Sequence, residues 1–263
     1  MQLIAHRLYD DAAELRQVDR RRLHGVQGAE LDIRCDETGE AVIHHSPVFR
    51  ARSGAPRDPR KPLRDAVGLL GEIAPHLQTL LLDVKTVDAA GRAAEAVARE
   101  RPRFDVAFAC WRADEVATIR AALPGALILF CVAPIFLRRT PRGRLRDLYI
   151  CNSFPFITSA RGFVPKLDKP NRHNINVKLI CKDRLAARLP RGVDGMCVHR
   201  LFHREELIDF AAARGLRTAV YGLPACDHPR TDALRGVADF AIVKRPRSGE
   251  RSAPAYAPVA SAA

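Results

Sequence analysis

The chain has 263 residues, 47% of them hydrophobic, which is enough apolar material for a buried core and excludes a compositionally disordered protein. Its formal net charge of +13 points to anionic partners such as phosphate compounds or an anionic lipid surface. Nucleic acid is not expected, because the basic residues are scattered along the chain and never interleave with aromatics as a stacking platform would. Seven cysteines, an odd number without a C-x-x-C pair, read as small buried hydrophobes in a reducing compartment. With no signal-peptide pattern at MQLIAHR, the expected location is cytoplasmic.

In chain order, Leu3–His6 reads as a short strand. Asp10–Arg22 reads as a helix or helical turn. The stretch Gly28–Pro47, GAELDIRCDETGEAVIHHSP, reads as two strands, Glu30–Arg34 and Ala41–His44, joined by a turn at Asp36–Gly39. Val48–Pro62 is a Pro- and Arg-rich loop, and Leu63–Ala74 has helical spacing. Thr79–Lys85 (TLLLDVK) is a buried strand, Ala89–Arg101 a helix, Asp105–Cys110 a strand and Ala113–Ala122 a helix. The apolar run Ala121–Leu137 is short for a membrane span and is broken by Pro124, Gly125 and Pro134. Its centre, from Ala126 to Val132, fits a buried parallel strand. Ala133–Pro190 reads as an elaborated loop region with some helix. Gly192–Val198, Arg217–Leu223 and Ala238–Val243 read as strands, with helices at Arg204–Arg214 and around Thr231–Leu234. Residues 248–263 read as a disordered tail.

Strands beginning near residues 3, 28, 79, 105, 126, 193, 217 and 238, alternating with helices, predict a single-domain (β/α)8 TIM barrel over residues 1–247, elaborated between strands five and six. No G-x-G-x-x-G or P-loop follows the first strand, which counts against a nucleotide-binding open sheet. In such a barrel the chemistry lies at the C-terminal ends of the strands. Those ends hold His6 and Arg7, then Glu30 and Asp32, then Asp83 and Lys85. Side chains two apart on a strand share a face, so Glu30 and Asp32 leave together and repel each other. A hard divalent cation, Mg2+ or Ca2+, relieves that repulsion with oxygen ligands from Glu30, Asp32 and Asp83. Arg7 offers a planar fork to a phosphate and Lys85 a point charge. His6 and His44 have the right chemistry for a base and an acid on opposite sides of an in-line displacement at phosphorus. By strand alternation His45 points away from His44 and is expected to be non-catalytic, and His199 has no matching context. Trp111, just past the fourth strand, is expected to line the pocket.

These residues together resemble the glycerophosphodiester phosphodiesterase family of TIM-barrel enzymes. Leu3-Ile4-Ala5-His6-Arg7 is similar to its opening I-A-H-R-G, and Gly28-Ala29-Glu30-Leu31-Asp32-Ile33 to G-A-D-x-I-E-x-D-V. Ala41-Val42-Ile43-His44 is similar to V-V-x-H-D, and Leu81-Leu82-Asp83-Val84-Lys85 to L-N-I-E-I-K. Toward the end, Arg214–Arg217 with Val220–Leu223 resembles A-R-G-L-x-V-x-V-W-T-V, and Ile242–Pro246 resembles I-T-D-R-P. The resemblance implies metal ligation by Glu30, Asp32 and Asp83, an acid/base pair of His6 and His44, and phosphate contacts from Arg7 and Lys85. It also puts Tyr221 at the family's tryptophan, a substrate-lining position. The implied activity is metal-dependent hydrolysis of a glycerophosphodiester, or a related lipid-derived phosphodiester, to an alcohol and a phosphomonoester. Leu8 stands where the family has glycine, and the P-E-N-T segment is missing. Asp83 with Lys85 two later, together with that missing segment, is also similar to the sphingomyelinase D and phospholipase D-like branch of the superfamily, which expels an alcohol by intramolecular attack. A barrel that binds a phosphorylated ligand without turnover is the remaining alternative. The basic surface and the Phe154–Phe156 region suggest peripheral contact with an anionic lipid surface.

Overall fold

The computed structural model describes residues 1–18, 20–46, 58–132, 189–200, 203, 207–223 and 231–244, and the backbone alone of 136–139, 145–148, 175–176, 205–206 and 229–230. The strands are β1 (Gln2–Ala5), β2 (Gly28–Cys35), β3 (Ala41–Ile43), β4 (Thr79–Val84), β5 (Asp105–Cys110), β6 (Leu127–Val132), β7 (Phe136–Arg139), β8 (Leu145–Leu148), β9 (Ile175–Asn176), β10 (Gly195–His199), β11 (Arg217–Leu223) and β12 (Phe240–Val243). The helices are α1 (Leu63–Ile73), α2 (Val87–Glu100), α3 (Ala113–Ala122), α4 (Glu205–Ala212) and α5 (Pro229–Asp232).

Eight of these strands run parallel in the order β1-β12-β11-β10-β6-β5-β4-β2, and the pairing of β1 with β2 closes the ring. They are the eight strands whose starts the sequence marks. β3 pairs antiparallel with β2 as the outer arm of a hairpin, with Ile33 opposite Ile43. In the β6–β10 connection, β7 pairs antiparallel with β8 and with β9 in a small separate sheet. The helix expected in that connection, the lipid-facing Phe154–Phe156 region, most of the Val48–Pro62 loop and the tail all fall outside the described residues.

The eight barrel strands bury side chains on both faces, as a covered parallel sheet requires. The inward set, Ile4, Leu81, Ala107, Ala109, Leu129, Cys131, Cys197, Ala219, Phe240 and Ile242, fills the barrel. The outward set of β2, β4 and β5 packs under α1–α3, where α2 presents Ala89, Ala90, Ala93, Ala94 and Val97. Alanine on that face lets the helix lie close to the strands. Thr86 caps α2 by accepting the N–H of Ala89, and Arg101 ends it in a left-handed conformation with φ +46°. Cys110, Cys131 and Cys197 are free and buried, as read from the sequence.

Asp10–Arg22 forms two 3-10 turns, Leu15–Gln17 and Arg20–Leu23, the helical-turn form of the expectation for this stretch. Arg22, in the second turn, points inward, its guanidinium donating to the Leu8 carbonyl at 2.9 Å. The second strand of the hairpin stops at Ile43, before the two histidines. The Asp11 carboxylate there accepts the backbone N–H of His45 at 2.7 Å and of Ser46 at 3.2 Å, taking the chain out of the ladder.

Candidate metal and phosphate site

Asp32 and Asp83 lie at the same register on neighbouring strands, and Glu30 is one inward position below Asp32. Glu30, Asp32 and Asp83 bring carboxylate oxygens within 4.8 Å of one another. Like charges at that spacing repel by about 3.5 kcal/mol per pair at an effective dielectric near 20. Glu30 and Asp32 are almost wholly buried, 3% and 4% exposed, so water does little to screen them. Burial, followed by the charges of Asp32 and Asp83, pushes the Glu30 carboxyl well above its ordinary value. Asp83 is pushed up by burial and by Asp32, against the opposing pull of Lys85. Burial acts the same way on Asp32, but Lys85, then His45 and Arg7, outweigh it and hold Asp32 down.

The compensating cations are fixed by the same strands. Lys85 Nζ lies 2.7 Å from Asp32 Oδ1 and also donates to Asp83 Oδ2. Burial alone would lower its pKa, yet Asp83, Asp32 and Glu30 raise it, so the ammonium stays charged. Arg7 Nε lies 3.2 Å from Asp32 Oδ2, and the Arg7 backbone N–H donates to Glu30 Oε2. Trp111 Nε1 donates to the remaining Asp83 oxygen, Oδ1, at 2.8 Å. Three clustered carboxylates beside two cationic side chains, with the Glu30 and Asp83 carboxyls pushed above their ordinary values, form a donor set that fits one hard divalent cation. The residues that would hold it are those expected from the E-x-D and D-x-K spacings.

His6 extends from β1 into the same field, with Asp32, Arg7, Lys85 and Lys244 acting on it. Burial is the main cause that lowers its pKa, to about 4, so the ring is neutral at pH 7. The two adjacent histidines have different surroundings. His44 is 1% exposed, its Nε2 3.0 Å from Asp58 Oδ2 and its Nδ1 2.9 Å from the Ser46 carbonyl. His45 is the member of the pair on which Asp32, Arg7 and Lys85 act. Its backbone is held from two sides, the N–H by Asp11 and the carbonyl by Arg34 Nε at 3.0 Å. Burial, outweighing Asp32, lowers the His45 pKa. The His44 amide still donates to the Asp32 carbonyl at 3.0 Å, and the hairpin ladder ends at His45, whose amide Asp11 holds.

The opposite side of the mouth is aromatic. The Tyr221 ring meets His199 edge-on at 5.2 Å and Trp111 edge-on at 6.4 Å between centroids. Gly222, at φ +82°, lies where the β11–β12 register shifts, and a Cβ there would fall 2.6 Å from His199 Nε2. The sequence reading missed His199, which has no motif around it. It also missed Glu115, whose Oε2 accepts the backbone N–H of Trp111 at 2.7 Å and of Arg112 at 3.0 Å. A glutamate three residues after a helix N-cap was a usable signal for that one.

No helix among the described residues is long and apolar enough to cross a membrane. No protein-family model and no curated protein matches the sequence. Solved structures do match over nearly the whole chain. A phosphodiesterase from Oleispira antarctica, in complex with the product sn-glycerol-3-phosphate, is 14% identical over 92% of each chain, with a TM-score of 0.56. A glycerophosphodiester phosphodiesterase from Parabacteroides distasonis is 14% identical over 92% of each chain, with a TM-score of 0.55. One from Agrobacterium tumefaciens is 12% identical over 93% of this chain and 96% of that chain, with a TM-score of 0.56. The chain thus shares the (β/α)8 fold of these enzymes, the same group its strand-end motifs resemble.

Proposed function

We propose that the protein is a divalent-metal-dependent phosphodiesterase that hydrolyses a glycerophosphodiester, or a related lipid-derived phosphodiester, to an alcohol and a phosphomonoester. The observation that carries this reading is the buried Glu30–Asp32–Asp83 cluster, braced by Arg7 and Lys85 at the strand ends, with a neutral His6 beside it. Glu30, Asp32 and Asp83 would hold the cation, which would supply a Lewis acid for a phosphoryl oxygen. Arg7 and Lys85 stabilise the charge that develops on the phosphoryl oxygens. Neutral His6 takes the proton of the attacking water as its oxygen bonds to phosphorus. The P–O bond to the alcohol breaks, and the departing oxygen takes a proton from a second imidazole of the His44–His45 pair. His45, on which the site's charges act, is the better placed; His44, expected in that role from its motif, is engaged by Asp58. Trp111 and Tyr221 line the substrate side. The basic chain favours an anionic substrate and peripheral contact with anionic lipid, and the cytoplasm is the proposed location.

The test is 31P NMR of the protein with glycerophosphocholine and with lysophosphatidylcholine, in Mg2+, in Ca2+ and in EDTA. The expected result is a metal-dependent phosphomonoester from glycerophosphocholine, lost in His6→Ala. A cyclic phosphate from the lysolipid would assign the intramolecular, lyase-type reaction instead. No turnover of either by metal-loaded protein would leave the barrel as a binder of phosphorylated ligands.

A further inference from the structure

The turn His6-Arg7-Leu8 carries the proposed base and one phosphate contact, and its backbone is held in an uncommon shape. Arg7 has φ +48°, the left-handed region that costs a residue with a Cβ about 1 kcal/mol or more. Something must over-determine that conformation. On the N–H side, His6 donates to the Val243 carbonyl, Arg7 to the Glu30 carboxylate and Leu8 to the Glu30 carbonyl. On the carbonyl side a single side chain takes all three. The Arg22 guanidinium donates to the carbonyl of Leu8 at 2.9 Å, of His6 at 3.0 Å and of Arg7 at 2.6 Å. Arg22 is only 9% exposed, so these bonds form away from bulk water, where an unmet carbonyl is costly.

We propose that Arg22 is a positioning residue of the phosphodiesterase site: its guanidinium clamps the three carbonyls of the His6–Leu8 turn and so fixes the imidazole of His6 and the guanidinium of Arg7 against the carboxylate cluster. The inference rests on the reading given under Proposed function and adds a residue to it that touches neither metal nor substrate. Only a planar fork of donors spans three successive carbonyls from one point. Lysine keeps the charge but reaches fewer of them, and methionine keeps the bulk with no donor.

The experiment compares wild type with Arg22→Lys and Arg22→Met by three measurements on Mn2+-loaded protein. These are kcat and KM on glycerophosphocholine, the dissociation constant of inorganic phosphate by calorimetry, and the Mn2+ affinity itself. Arg22→Met is expected to lose about 10- to 100-fold in kcat with KM little changed, the scale of a misplaced catalytic group. Its phosphate affinity is expected to fall about tenfold, since Arg7 is displaced, while Mn2+ affinity stays within about threefold because the carboxylates sit on strands. Arg22→Lys is expected to lie between. If Arg22→Met fails to fold, Arg22→Lys carries the same comparison. A folded variant with wild-type kcat and wild-type phosphate affinity overturns the proposal and leaves Arg22 a structural residue. If wild type hydrolyses no diester, the functional reading fails, and the phosphate affinities alone still decide whether Arg22 holds the turn.

Discussion

The mouth of the barrel divides into two unlike halves. From β1 through β5 it holds Arg7, Glu30, Asp32, Asp83 and Lys85, buried or half-buried charges in contact with one another. On β6, β10 and β11 the positions toward the mouth are Cys131, Cys197, His199 and Tyr221, with no carboxylate beside them among the described residues. The two halves are built on the same strand geometry and the same alternation. They differ in what each side chain needs from its neighbours. A buried charge is tolerated only beside its counter-charge, so one acidic position brings the others with it. An aromatic or thiol side chain carries no such demand and can differ position by position. The charged half therefore carries the candidate metal and phosphate site, and the proposed function makes the aromatic half the wall on the substrate's other side.

If that division holds, the largest losses belong to the charged half. His6→Ala is expected to lower kcat by about 10³-fold in steady-state assays. A residual rate above a tenth of wild type would place the base elsewhere. His45→Ala is expected to approach the same loss and His44→Ala to cost about tenfold, by loosening the Asp58 and Ser46 contacts. The reverse ranking would return the acid role to His44.

Next in size is the cation. Asp83→Asn is expected to weaken Mn2+ binding by about 100-fold in equilibrium titrations. Glu30 holds its proton above the ordinary carboxyl range, and the metal takes the ionised form, so binding displaces that proton. Affinity should therefore rise with pH until Glu30 ionises unaided. Calorimetry in two buffers of different ionisation enthalpy reads the released proton directly, and equal heats would contradict it.

Smaller effects are expected across the mouth. Tyr221 has a buried hydroxyl with no hydrogen-bond partner among the described residues. Tyr221→Phe is expected to change kcat/KM by less than about tenfold and to leave metal affinity alone. Loss of metal binding in that variant would break the division between the halves.

The smallest effect is one of stability at their boundary. Burial raises the Glu115 carboxyl to about 7, against the two backbone N–H groups it accepts. Its folded pKa lies above its unfolded one, so the folded state binds the extra proton. Stability then falls as pH rises from about 4.5 to about 7 and levels off above. Glu115→Gln keeps an acceptor for Trp111 and Arg112 without the charge. It is expected to flatten that slope and to gain about 1–2 kcal/mol at pH 8 in thermal unfolding, with no gain at pH 4.

Glu30, Asp32, Asp83 and Lys85 were legible because a strand repeats every two residues. Once Gly28–Cys35 and Thr79–Val84 are strands, their even-spaced polar side chains share a face wherever the strands go. The eight strand starts were legible for the same local reason, the contrast of apolar runs with helical spacing. Where the hairpin ladder stops beside His44 and His45 was not. It stops at a carboxylate 34 residues earlier, Asp11, which captures the His45 amide. Arg22 reads as one more basic residue in the run Arg20–Arg22, and only the folded chain turns it onto the carbonyls of His6, Arg7 and Leu8. His199 meets Tyr221 only because β10 and β11 pair in register. By itself the sequence determined the barrel and the carboxylates that line one side of its mouth, since both follow from local backbone period. Tertiary structure decided what holds the His45 amide and the His6 turn in place, since both depend on hydrogen bonds between segments that local period does not relate.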